Sequence, residues 1–409
     1  MIPLSEIRRA AGILQGKIIR TPLVYSPTFS KLCGSQVYLK LENLQETGSF
    51  KLRGATFKIQ SSLGRLGPAG VVAASAGNHA QGVALAAGRA GIEATIVMPE
   101  WASITKQEAT RGYGGKVIVY GKSLEESLTR AKELAAEGRT FIHPFDDPLI
   151  VAGQGTIGLE IFEDLPRTDV IVASIGGGGL ISGIACAAGA LCPAARIIGV
   201  QTALCPSAHL SVREGKRIRV DAGRSIADGI SVKQLGELNF PIIRESVHRV
   251  VLVDEEDISM AMVMLLERKK LLAEGAGAAP VAALLRGALP LPSGSVVVLV
   301  ISGGNVDSPL VDRIIRRELV RNGRIMRFTV HLEDDPGCLA RLLSLVSQRR
   351  ANVLQIVHDR SGRDLPIYLS RVELELETRG PDHAADIALA LKNAGYELLD
   401  RSSVPYRIS

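Results

Sequence analysis

Lys51 stands behind a Gly-Ser-Phe turn in ETGSFKLRGA, positions 46–55, with Phe50 beside it and Arg53 two residues on. An amine at a loop-to-helix junction beside an aromatic ring is placed to react with a carbonyl or to take a proton, provided burial tunes it. By itself it is also what a surface lysine in the first turn of a helix looks like. Far along the chain Gly176, Gly177, Gly178 and Gly179 follow the run VIVAS and precede a helical segment. Glycine lets backbone N–H groups approach a phosphate, and the helix start adds positive potential; a plain glycine-rich turn is the alternative. No G-x-x-x-x-G-K-[ST] occurs. The run does not fit G-x-G-x-x-G either, and the next strand, RIIGVQ, ends in Gln201 rather than in an acid for a ribose. SAGNHAQG, Ser75 to Gly82, is a second strand-end loop, in which Asn78 and His79 serve either as helix caps or as partners of a carboxylate. ISGGN ends another apolar strand, and its Ser302 either donates to a ring nitrogen or caps a turn.

These residues share one demand. A reactive lysine, a phosphate cradle, a stacking Phe50, and Asn78 and Ser302 as donors at strand ends are what pyridoxal 5'-phosphate needs.

The elements that must hold them alternate. GVVAASAGNHAQGVALAAGRAG reads strand, loop, helix; EATIVMPEWASITKQEATRGYG and KVIVYGKSLEESLTRAKELAAE repeat the scheme, and VIVASIGGGGLISGIACAAGA, RIIGVQ and SVVVLVISGGN continue it. The rhythm predicts an α/β fold with a largely parallel sheet, its ligands at the carboxyl ends of the strands. The chain has 409 residues, room for more than one core, and 46% hydrophobic against 22% charged residues, an ordinary globular balance. Near residue 320 the pattern changes to strand, helix, strand, strand, helix, strand, the ferredoxin-like split. The expected division is therefore 1–318, a linker over 319–326, and a small domain over 327–409. A net charge of +6 is spread along the chain, so no nucleic-acid surface is expected. The longest apolar stretch is interrupted by the glycines, so no membrane span is expected, and MIPLSEIRRA has no apolar h-region. Cys33, Cys186, Cys192, Cys205 and Cys338 form no Cys-x-x-Cys pair and read as reduced cytoplasmic thiols rather than metal ligands.

GSFKLRGA, SAGNHAQG, GQGT (Gly153 to Thr156), GGGGL and SGGN, in that order, resemble the fold-type-II pyridoxal-phosphate enzymes, in the threonine/serine dehydratase branch. The resemblance covers 1 to about 318 and implies a smaller subdomain near 50–150 inserted in the larger one. It implies that Lys51 carries the cofactor and acts as catalytic base, and that Phe50 packs on the cofactor ring. Asn78 would bond the phenolic oxygen, Gly176 to Gly179 with Leu180 the phosphate, and Ser302 the pyridine nitrogen. Ser75, Ala76, Gly77, Asn78 and His79 would receive the substrate carboxylate, and Glu274 in LLAEGAGAAP would stand beside the cofactor. The implied reaction is loss of water from L-threonine, giving 2-oxobutanoate and ammonia, with L-serine to pyruvate as a second conversion; the pathway would be isoleucine biosynthesis or threonine degradation.

Racemase relatives place a second serine where this chain has Ala76, so racemisation is expected to be minor. They also bind a divalent cation with acids where this chain has Gln201, Cys205, Pro206 and Ser207, so no such cation is expected. A serine racemase, a dehydratase of another hydroxy-amino acid, and a non-catalytic amino-acid sensor are the alternatives. Arg53 reads as an ion-pair partner, and His143 in FIHPFDDP as structural. The C-terminal domain resembles an ACT domain on LEDDPGCLARLL, Leu332 to Leu343. That resemblance implies a homodimer or homotetramer and an amino-acid effector, isoleucine or valine, near Asn352; a pure dimerisation module is the alternative.

Overall fold

In the computed structural model, which describes residues 1–361 and 365–399, the runs VVAA, VIVAS and VVVLVI are strands Val71–Ala74, Val170–Ser174 and Val296–Ile301. They are buried almost throughout, as strands covered by helices on both faces must be. Six strands form one sheet in the order Leu23–Tyr25, Gln36–Leu41, Val296–Ile301, Val170–Ser174, Arg196–Thr202, Arg249–Val253. Only the first pair is antiparallel. A second sheet is wholly parallel, in the order Gly115–Val119, Ala94–Met98, Val71–Ala74, Thr140–Phe141. Both sheets lie within one unit, Met1–Asp307.

Helix Pro148–Asp164 is capped at its start: Asp147 accepts from the backbone N–H of Leu149 at 2.8 Å, and Pro148 occupies the first helical position. It carries GQGT against helix Lys51–Ser62. The two backbones touch at Gly54 and Gly153: a Cβ on Gly153 would lie 2.7 Å from the Gly54 Cα. The motif glycine therefore seats the lysine's helix. Main-chain contact this close fixes that helix's position as side-chain packing alone would not.

The second unit begins at Ser308. Strands Ile325–Glu333, Leu369–Glu377 and Asn352–Asp359 form an antiparallel sheet in that order, and Leu399 pairs with Thr329 on the outer side of the first strand. With helices Cys338–Gln348 and Pro381–Asn393 this is the split β-α-β-β-α-β arrangement, its core built from Phe328, Val330, Leu342, Val372, Leu374 and Leu391. The end of the last expected strand, and the rest of 400–409, lie outside the described residues. The stretch 319–326, read as a charged helix end and linker in RRELVRNGR, holds the end of helix Ser308–Arg321, a turn, and the start of strand Ile325–Glu333. The helix is amphipathic: Arg316 pairs with Asp312 at 3.1 Å on its solvent side while Ile314 is buried.

Among the described residues no helix is long and apolar enough to cross a membrane.

Candidate active site

The loops at the ends of Val71–Ala74, Val170–Ser174 and Val296–Ile301 open into one cavity. Its lining includes Ser75 to His79, Gly176 to Leu180 and Ser302, together with Phe50, Lys51 and Glu274. Every site residue expected from the sequence thus lies on a single surface.

Lys51 is the first residue of its helix. The Phe50 N–H donates to the Ser302 carbonyl at 3.1 Å, and Ser49 bridges Gly303, so the lysine's segment is pinned to the end of the central strand. Lys51 Nζ donates to the Pro144 carbonyl at 2.8 Å and lies 5.1 Å from the centre of the Phe50 ring. Burial pulls the Lys51 pKa down to about 8, against the opposing charge of Glu274. His79 is buried with Nε2 2.9 Å from the Ile142 carbonyl. Burial and then the Lys51 charge lower it to about 3, so its ring is neutral and donates to that carbonyl.

Asn78 Nδ2 donates to Glu274 Oε1 at 2.7 Å, and its Oδ1 accepts from Asn305 Nδ2 at 2.8 Å. Asn305 also donates to the Thr47 carbonyl at 2.7 Å, which sets which way both amides face. Burial, reinforced by Asp228, raises the Glu274 pKa to about 8.

Gly178 has φ +100 and caps helix Gly179–Leu191. A Cβ on Gly177 would lie 2.4 Å from atoms of the Phe145 ring, and one on Gly178 2.8 Å from the Asn239 Cβ. The Asn239 amide donates to the Phe145 and Gly177 carbonyls at 3.0 and 3.1 Å and holds this wall in place. The glycines therefore present main chain to the cavity at a helix start, where N–H groups have no partner inside the helix. Such a cradle suits a phosphate, and with a buried, pKa-lowered amine beside an aromatic ring the residues fit pyridoxal phosphate.

Sequence reasoning missed several residues of the lining: Trp101, Lys106, Leu124, Phe145 and Asp228. Lys106 Nζ lies 3.1 Å from Asp228 Oδ2. Burial opposes its charge most, but Asp228 together with the other acids nearby lifts the Lys106 pKa above its ordinary value. The two lysines of the cavity are thus tuned in opposite directions.

Arg53 is fully buried and does not line the cavity. Its guanidinium grips Glu42 at 2.8 Å through both Nε and Nη2, and Glu160 at 2.6 and 2.9 Å, while Lys40 also bonds Glu160 at 2.6 Å. Thr156 of GQGT lies 3.0 Å from Arg53 Nη1. Burial would raise Glu160, but Arg53 and Lys40 hold it below the usual carboxylate range. His143 accepts at Nδ1 from the Asp146 N–H at 2.7 Å and shapes the turn carrying Pro144 and Phe145. Gln201 Oε1 accepts from the Ala208 and His209 N–H groups at 2.8 and 3.0 Å, capping helix Ser207–Glu214.

Residues 14–303 match the family model described as pyridoxal-phosphate dependent enzyme. The chain is 47% identical over 399 residues to an L-threonine ammonia-lyase of Thermotoga maritima, covering 97% of this chain and 99% of that protein. Among solved structures, a T.th. threonine deaminase matches with a TM-score of 0.70 and 40% identity, over 75% of this chain and 99% of that one. Maize serine racemase matches with a TM-score of 0.73 and 35% identity, over 78% and 98%. A parallel α/β framework, a buried lysine facing a glycine cradle, and this extent of likeness lead to one conclusion: the chain belongs to the fold-type-II pyridoxal-phosphate dependent enzymes.

Proposed function

We propose that this protein is an L-threonine ammonia-lyase. It removes the Cα proton and the β-hydroxyl of L-threonine as water, and hydrolysis then yields 2-oxobutanoate and ammonia; L-serine gives pyruvate by the same route. The observation that carries this reading is Lys51, a buried amine with a pKa of about 8 across the cavity lining from the glycine cradle. The likeness to an L-threonine ammonia-lyase along nearly the whole chain supports it.

Pyridoxal phosphate, when bound, supplies a conjugated system that takes up negative charge from Cα. The N–H groups of Gly176 to Gly179 and Leu180 would hold its phosphate, and Phe50, Asn78 and Ser302 would hold its ring. Lys51 would hold it, and the Lys51 amine is the base for the Cα proton; an amine with a pKa near 8 gains and loses a proton cheaply at neutral pH. Ser75 to His79 hold the substrate carboxylate, and Glu274 keeps the Asn78 amide turned correctly. Ala76 contributes a methyl where a racemase carries a second acid–base hydroxyl, so the proton is not returned to the other face.

The C-terminal unit senses an amino acid, isoleucine or valine, near Asn352 and joins copies of the chain into a dimer or tetramer. Strand Asn352–Asp359 supports this, since it forms one edge of its sheet and exposes Leu354 and Val357. The protein works in the cytoplasm, in keeping with five unpaired cysteines.

The test gives purified protein and pyridoxal phosphate L-threonine or L-serine, and measures 2-oxo acid, ammonia and D-enantiomer. Equal oxo acid and ammonia, favouring threonine with little D-product, is the expected result. Abundant D-serine would replace this reading with a racemase, and absence of any product would overturn it.

A further inference from the structure

Lys106 is held where the reaction as proposed does not use it. It rises from helix Ile104–Gly112, whose first turn is capped by Ser103 accepting from the Lys106 N–H at 3.4 Å. Its side chain is only 16% exposed and reaches across the cavity mouth to Asp228, which begins the short turn Asp228–Ile230. On the way it passes the loop Ser75–Gly77. A Cβ on Gly77 would lie 3.8 Å from Lys106 Cδ and 3.9 Å from Nζ, the nearest atoms to that point. The absence of a side chain on Gly77 leaves the ammonium facing the loop. Gly77 itself is committed to the loop's shape, donating its N–H to Ser75 Oγ at 3.2 Å.

The charges nearby explain why the cation persists. Asp228 holds Lys106 directly, and Asp307 adds negative potential. Asp228 is 56% exposed, so water screens its side of the pair, and its other oxygen accepts from the Gly229 N–H at 2.8 Å. Such a partner is readily exchanged. A carboxylate arriving at the Ser75–Gly77 loop meets a cation a short rotation away, in a cavity where a charge-assisted hydrogen bond is worth more than in water.

We propose that Lys106 is a substrate-binding residue which leaves Asp228 to hold the α-carboxylate of the incoming amino acid at the Ser75–Gly77 loop, and so selects substrates with a free carboxylate. This rests on the ammonia-lyase reading for its substrate, and on the cavity geometry for its site. The competing role for Lys106 is a latch that only ties the two walls of the cavity together through Asp228.

The experiment compares wild type with Lys106→Met, Lys106→Arg and Asp228→Asn as holoenzymes. Lys106→Met is expected to raise KM for L-threonine about ten- to a hundredfold, the value of a charged hydrogen bond, with kcat within about threefold. Lys106→Arg restores most of the loss, and Lys106→Gln gives the same split should the methionine variant not fold. Asp228→Asn frees the ammonium and leaves KM at or below that of wild type; an Asp228→Asn variant matching Lys106→Met would establish the latch and overturn the proposal. A second readout needs no turnover. Trp101, the single tryptophan of the chain, lines the same cavity, and its emission reports titration with sodium butanoate, with butan-1-ol as the uncharged control. Saturable butanoate binding that weakens at least tenfold in Lys106→Met supports the assignment even if wild type makes no oxo acid, in which case only the reaction reading falls. Equal butanoate binding in both proteins, or none in wild type, overturns it.

Discussion

Glu274 and Asn78 form a fixed pair, the carboxyl oxygen 2.7 Å from the amide nitrogen, although 196 positions separate them in the chain. The pair links titration to stability. Burial, then Asp228, raises Glu274 from 4.5 to about 8, so between those values the folded chain keeps a proton that the unfolded chain has released. That stabilisation is complete below pH 4.5 and drains as pH rises through 8, with a slope of at most about 1.4 kcal/mol per pH unit. Glu274→Gln removes the titration. Urea unfolding of cofactor-free protein should show the variant gaining on wild type across that window and levelling above it. A flat difference would return Glu274 to an ordinary carboxylate.

Gly177 and Gly189 lie on the same strand-loop-helix segment with opposite prospects. A Cβ on Gly177 meets the Phe145 ring, whereas one on Gly189 meets nothing within 4 Å. Gly177→Ala should lose about 1–3 kcal/mol of stability and weaken cofactor binding at least tenfold by equilibrium dialysis. Gly189→Ala should gain about 0.5–1 kcal/mol and bind cofactor as wild type does. Equal behaviour of the two would remove the steric case for the cradle.

Arg53 holds two buried carboxylates at once. Arg53→Met leaves Glu42 and Glu160 with Lys40 as their remaining cation in this cluster, and should cost about 3–5 kcal/mol in chemical unfolding. Lys at this position keeps one charge but loses the fork, so Arg53→Lys should recover less than half. Full recovery would mean that charge alone matters here.

Leu354 and Val357 stand exposed on the edge strand of the C-terminal unit. If that edge joins two copies, Leu354→Lys with Val357→Lys should lower the mass seen by light scattering to that of a smaller assembly, and unchanged mass would place the interface elsewhere.

Much of the site was legible because SAGNHAQG, GGGGL and SGGN each follow a buried parallel strand, where an unbroken apolar run gives way to a glycine-bearing loop. VVAA, VIVAS and VVVLVI announce their loops locally, and the parallel topology brings those loops together. Lys106 and Asp228 carried no such signal. A lysine in a polar helix and an aspartate in a loop, 122 positions apart in the chain, look solvated until the fold brings them to 3.1 Å at the cavity. Likewise, Arg53 could be read as paired, but Glu160 as its partner, 107 positions away, follows only from the crossing at Gly54 and Gly153. Of helix Ser308–Arg321 only the charged end RRELVRNGR was legible, because arginine density hid its narrow apolar stripe.

The glycine cradle also sets what can go wrong in the site. The closest neighbours a Cβ would meet there belong to Gly229, Ile230, Val232, Phe145, Asn239 and Ile243, none of them charged. A phosphate held this way is gripped by main-chain dipoles, which carry no titratable charge. Near pH 8, where Lys51 and Glu274 titrate, the phosphate is already fully charged, so the grip of the cradle should change little there, and crowding at Gly177 or Gly178 is the damage to expect.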